Sequence, residues 1–193
     1  MTTHKNTNQH KTIATLLLFS IGLLFSCNTF AWTHKIGEKY GGGIVFYVYD
    51  GGLHGLIAAS ADQSHTGIQW SNGTYKWTGT TGDGVNAGAM NTAMIVATQI
   101  NNTTGNKFAA KLCADYSVKG ADGVTYGDWY LPSKAELNLL LKQKYVVGGF
   151  DDGGFWSSTE VNSTTAFGLD FVDGLPLNSG KSYLLRVRAV RAF

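Results

Sequence analysis

The run G-D-W-Y-L-P-S-K-A-E-L-N-L-L-L-K-Q-K-Y at residues 127–145, continued by V-V-G-G-F-D-D-G-G-F-W-S-S-T-E at 146–160, decides how the rest of this chain is read. Ser133 and Glu136 form a capping box, in which the hydroxyl accepts the Glu136 amide and the carboxylate accepts the Ser133 amide. Pro132 fixes the entry. Leu137, Leu140, Leu141 and Tyr145 recur at helical spacing and predict an apolar stripe that must be buried. Lys142 and Lys144 suit the negative end of the helix dipole. The glycine and aspartate pairs that follow predict a sharp polar return into a buried aromatic strand.

Upstream, Gly41 to Gly43 lead into I-V-F-Y-V-Y-D, and G-L-I-A-A follows the turn at Asp50-Gly51-Gly52. Two β-rich runs joined this way predict an antiparallel hairpin. The glycines precede the strand, which is the wrong order for a phosphate-cradling loop. Residues 60–84 predict an ordered loop region containing Trp70, Tyr75 and Trp77. Aromatics in such a loop either stack on sugar faces or plug the loop onto the core, and the plug is the simpler reading. Asp62, His65 and Asp83 form no recognisable ligand pattern, so no metal or other cofactor is expected.

Met90, Ala93, Met94, Ala97 and Ile100 predict a helix within Gly84 to Asn101, with the methionines filling core. A further helix is predicted from Phe108 to Tyr116, burying Cys113 as an inert thiol. In the tail, Thr165–Val172 and Tyr183–Ala192 read as two strands joined across D-G-L-P-L-N-S-G-K. Period two would place Arg186 and Arg188 on one face. The fold class expected is a single α+β domain over residues 32–193, with a mixed or antiparallel sheet, two main helices and long ordered loops.

Residues 1–31 read as an export signal: Lys5 and Lys11 precede the apolar run T-I-A-T-L-L-L-F-S-I-G-L-L-F-S. Cleavage after Thr29-Phe30-Ala31 would leave Trp32 as the first residue. Leu24-Phe25-Ser26-Cys27 offers the other route, a lipobox leaving a lipidated Cys27. Both routes give an exported protein, secreted or at the cell surface, whose remaining Cys113 cannot form an internal disulfide. With the leader gone, the 15 Lys and Arg lose Lys5 and Lys11, leaving 13 against 13 acids. A near-neutral chain is not a nucleic-acid binder by bulk charge, so any anion site must be local.

No histidine accompanies Cys113 or a serine nucleophile motif, so no catalytic triad is readable and a non-enzyme is expected. The segments V-N-S-T-T and L-P-L-N-S-G-K-S-Y offer side chains suited to adaptable hydrogen bonding. Lys181, Arg186 and Arg188 are the expected contacts for an anionic glycan, because the Arg fork matches sulfate and carboxylate. Tyr183 and Trp156 are the expected stacking surfaces, with Asn162 and Asn178 in the flanking loops. The competing reading pairs Arg186 and Arg188 with Asp170, Asp173 or Glu160. If the cluster does bind ligand, binding weakens as salt rises.

W-Y-L-P-S-x-x-E-L, G-x-F-W-S-S-T-E, A-F-x-L-D-F-x-x-G and K-S-Y-x-x-R-V-R-A-V-R occur in this order. With G-G-G-I-V-F-Y-V and H-G-L-I-A-A-x-x-D-Q-S upstream, the chain resembles the bacterial surface domain at the C-terminus of the Legionella collagen-like adhesin. The resemblance implies a variant of the C-type lectin fold and an adhesin-like role in binding sulfated, glycosaminoglycan-like polysaccharide. Formylglycine-generating enzymes share a similar fold class, but their chemistry implies active-site cysteines, and only Cys113 is left after the leader is removed. The partners expected are a polysaccharide or surface glycan, or an envelope or host surface protein in an assembly role, with a second copy of the chain also admitted.

Overall fold

A computed structural model describes residues 1–2, 32–100 and 107–193. The leader features, Cys27 and Thr29-Phe30-Ala31 among them, lie outside the described residues. Ala31–Phe193 is one compact unit of mixed α and β structure with antiparallel sheets. Its first strands are β1 (Lys39–Tyr40), β2 (Gly43–Tyr49) and β3 (His54–Ala58), with a single helical turn at Asp50–Gly52 closing the expected β2–β3 hairpin. Helices α1 (Ala87–Gln99) and α2 (Ala109–Ala114) follow, then the short pair β4 (Val118–Lys119) and β5 (Thr125–Tyr126). Next come α3 (Lys134–Lys142) and α4 (Lys144–Val147), strands β6 (Gly154–Glu160), β7 (Thr165–Asp170) and β8 (Pro176–Gly180), and finally β9 (Val190–Ala192).

The four-stranded sheet runs β1-β2-β3-β9 and the three-stranded sheet β6-β7-β8. Strands β2 and β3 are buried on both faces, which is why their sequences are almost continuously apolar. Val45 and Ile57 enter one core with Ile95, Phe108 and Trp156. Phe46 and Leu56 enter the other with Leu137, Leu140 and Phe155.

The capping box forms as expected: the Glu136 amide donates to Ser133 Oγ at 3.2 Å and the Ser133 amide to Glu136 Oε2 at 2.8 Å. The same carboxylate also accepts the Asn86 amide at 2.7 Å and the Tyr130 hydroxyl at 3.1 Å, so it ties the start of α1 to the start of α3. Burial raises the Glu136 carboxyl above its usual range, against the pull of these donors. Gly88 is required here, since a Cβ would run into the Glu136 carboxylate and the Tyr130 ring.

Three expectations are corrected. Leu137 and Leu140 are buried, but Tyr145 is 89% exposed, because α3 stops at Lys142 and Gln143 leaves helical geometry before α4 restarts. Met90 is 66% exposed and Met94 also reaches solvent; the face that α1 buries carries Asn91, Thr92, Ile95 and Gln99 instead. Asn91 and Thr92 are satisfied by the chain they cover: Asn91 Nδ2 donates to the Gly82 carbonyl at 2.7 Å and the Leu131 amide to Thr92 Oγ1 at 2.9 Å.

The tail is the third. β7 pairs with β8, a strand inside the segment expected to be only a connection, and β9 crosses to β3. Residues 181–189 between them form no continuous strand, touching Ile68 and Phe155 through isolated bridges at Leu185 and Arg186.

Candidate ligand-binding surface

Lys181 and Arg188 are fully buried, which removes both from the expected glycan contacts. Neither can give up its partners for a ligand without leaving an uncompensated charge inside the protein. Lys181 Nζ bonds Glu160 Oε1, the Lys76 carbonyl at 2.9 Å and the Ser163 carbonyl at 3.0 Å, above the Trp70 ring at 4.6 Å. Burial lowers the ammonium pKa, while the Glu160 carboxylate raises it. Arg188 bonds Asp62 at 2.6 Å and the carbonyls of Ala59, Gly148 and Gly149, with its guanidinium stacked on Phe150 at 3.8 Å. Burial depresses this group as well, and raises Asp62 against the attraction of Arg188.

Trp156 is also fully buried, its indole donating to the Ile68 carbonyl at 2.8 Å, so it offers no stacking face. Of the expected cations only Arg186 keeps a partly accessible side chain, with Nε 3.7 Å from Asp151 Oδ2. Asp151 also accepts His65 Nδ1 at 2.9 Å, which lowers its carboxyl pKa. The competing pairing of Arg186 and Arg188 with Asp170, Asp173 or Glu160 does not form among the described residues; Arg186 lies by Asp151, Arg188 pairs with Asp62, and Glu160 pairs with Lys181. Among the described residues no group of three His, Cys, Asp or Glu side chains could hold a metal.

Tyr183, Asn162 and Asn178 are exposed. Asn162 Oδ1 accepts the Thr164 and Thr165 amides, both at 2.8 Å, which fixes the turn between β6 and β7. Asn178 lies on β8, the outer strand of its sheet.

The loop residues split. Trp70 is the plug expected, with its indole donating to the Ser157 carbonyl at 2.8 Å. Tyr75 and Trp77 are 54% and 55% exposed, so the plug reading fails for them. The Tyr75 hydroxyl donates to Ser182 Oγ at 2.9 Å, which brings the loop against the residue preceding Tyr183, itself 64% exposed. Below, Glu160 accepts the Thr78 amide at 3.0 Å and the Gly79 amide at 2.9 Å. The exposed residues at 73–77, 161–164 and 183–184 carry one formal charge, Lys76. The local signal for this surface was the polar frame around Tyr75 and Trp77, S-N-G-T before them and T-G-T-T-G after.

No protein-family model and no curated protein matches this chain.

Proposed function

We propose that this protein is an exported, non-catalytic domain, of C-type-lectin-like build, that recognises polysaccharide through Tyr75, Trp77 and Tyr183. The observation carrying the reading is that these rings stand in solvent although the backbone beneath them is fixed by buried polar bonds. Half-exposed aromatic rings on a fixed backbone offer faces that a sugar ring matches, with apolar C–H on its face and hydroxyls on its rim. Asn162, Ser163, Thr164 and Ser182 supply hydrogen-bonding groups to that rim. With Lys181 and Arg188 committed internally, an uncharged glycan suits this face better than a sulfated one.

Cys113, fully buried and with its thiol pKa raised well above the ordinary value by that burial, is a structural residue rather than a nucleophile. This favours binding over chemistry of the formylglycine-generating kind. The test is a polysaccharide array probed with the wild type and with Trp77→Ala. Binding to neutral chains that the variant loses supports the reading; equal binding by both removes Trp77 from the site. Export is checked by mass spectrometry of the protein from its host, with Trp32 or a lipidated Cys27 as the expected first residue.

A second reading, assembly with another envelope protein, draws on Tyr145, Val172 and Leu175, three exposed apolar side chains near the end of α3. Tyr145 and Val172 line a cleft of 440 Å³. Retrieval of one defined envelope protein by wild type and not by Tyr145→Ala would favour it.

A further inference from the structure

Among the described residues, two ion pairs have both side chains fully buried, Lys181–Glu160 and Arg188–Asp62. They differ in what they hold. Arg188 bonds the carbonyls of Ala59, Gly148 and Gly149. Its partner Asp62 stands at the start of the 60–84 loop, and none of these carbonyls lies in the stretches that carry Tyr75, Trp77 or Asn162.

Lys181 and Glu160 bond the peptide groups on either side of Trp77: the Lys76 carbonyl accepts from Lys181 at 2.9 Å, and the Thr78 amide donates to Glu160 at 3.0 Å. The ammonium also holds the Ser163 carbonyl at 3.0 Å, and the Lys181 amide donates to the Thr164 carbonyl at 2.9 Å. The Lys181 carbonyl accepts the Trp70 and Ser71 amides at 3.0 and 3.3 Å, where the aromatic loop begins. Three N–H donors of one ammonium thus meet three acceptors, and the carboxylate fills its own places with Lys181, Thr78 and Gly79. An apolar pair of similar volume would fill this space, but would leave the Lys76 and Ser163 carbonyls and the Thr78 and Gly79 amides without partners.

We propose that Lys181 and Glu160 are the positioning residues of the aromatic loop, holding the backbone that carries Tyr75 and Trp77, with the Tyr75 hydroxyl on Ser182, before a glycan arrives. This rests on the polysaccharide reading above. Loops ordered in the free protein need not be ordered during binding, so the pair acts on affinity without touching ligand.

The test compares two charge-free double variants of the full chain, Glu160→Gln/Lys181→Met and Asp62→Asn/Arg188→Met, which remove equivalent buried pairs. Amide hydrogen exchange and the Kd for a neutral polysaccharide retained on the array are measured for each. In Glu160→Gln/Lys181→Met, Thr78 and Gly79 should exchange roughly tenfold faster or more while Leu56 and Ile57 keep their protection. Its Kd should rise roughly tenfold, and the other double variant should stay within about twofold of wild type. Unchanged protection and Kd in the first variant, or equal weakening in both, overturns the proposal. If the double variant does not fold, Glu160→Asp carries the same measurements, because it keeps both charges and shortens only the reach to the Thr78 and Gly79 amides. A wild type that binds no polysaccharide refutes the ligand reading, and the exchange rates at Thr78 and Gly79 then decide by themselves whether the pair sets the loop.

Discussion

Glu160 and Lys181 meet with both side chains at 0% exposure, joining the end of β6 to the chain just beyond β8. A pair so fully desolvated is tolerated because every donor and acceptor on it is used. Removing one partner is therefore much worse than removing both. Lys181→Met alone should cost about 3–5 kcal/mol, leaving a buried carboxylate facing no cation. Urea denaturation reads this directly; a loss near 1 kcal/mol or below would mean that water reaches Glu160.

The two loop tryptophans should separate stability from binding. Trp70→Ala empties a fully buried site and is expected to cost about 3–5 kcal/mol. Trp77→Ala, at a half-exposed position, should stay within about 0.5 kcal/mol of wild type in thermal unfolding. The same Trp77→Ala change should raise the Kd for a neutral glycan roughly tenfold, the scale of one lost aromatic contact.

Salt dependence distinguishes stacking from charge recognition. An Arg and Lys cluster on the surface would lose affinity as salt rises, but Lys181 and Arg188 are internal. Glycan binding measured from roughly 0.1 to 1 M salt, over which the Debye length falls from about 10 to about 3 Å, should remain nearly flat. A steep decline would return the site to exposed cations such as Lys76.

Acid stability should depend on Asp128. Burial works to raise its carboxyl, but the Arg191 guanidinium, at 2.7 and 2.9 Å, wins and holds it below the ordinary value of 3.8. A carboxyl with a depressed folded pKa stabilises above its unfolded pKa, and that contribution is lost as pH falls through the folded value. Wild type should therefore lose stability below about pH 4 more steeply than Asp128→Asn, by a small margin because Asp128 is partly exposed. Thermal melts of both proteins between neutral and acid pH measure it; parallel curves would detach Asp128 from the acid transition.

What could be read from residues alone was whatever depends on near neighbours. The Ser133–Glu136 cap spans one helical turn, and the β2–β3 hairpin closes at the Asp50-Gly51-Gly52 turn, so both were readable. Cys113 was also placed correctly, since a small apolar residue among Phe108, Ala109 and Ala110 has few places to go but inward. These features give an α+β domain, but they do not say which charges lie inside it.

That was decided by tertiary contacts. Arg188 finds Asp62 at a separation of 126 residues and Lys181 finds Glu160 at 21, and no spacing in the chain marks either pair. Period-two alternation put Arg186 and Arg188 on one face, whereas the segment before β9 is irregular and sends Arg188 into the protein. Met90 is exposed for a similar reason: beside the apolar core that Ile95 enters, α1 covers backbone groups, and Asn91 and Thr92 satisfy them where methionine could not. Local propensity and turn chemistry act over a few residues and were sufficient for the elements. Desolvation depends on everything packed around a side chain, so only the assembled fold turned the expected cation cluster into internal clamps and left Tyr75 and Trp77 facing water.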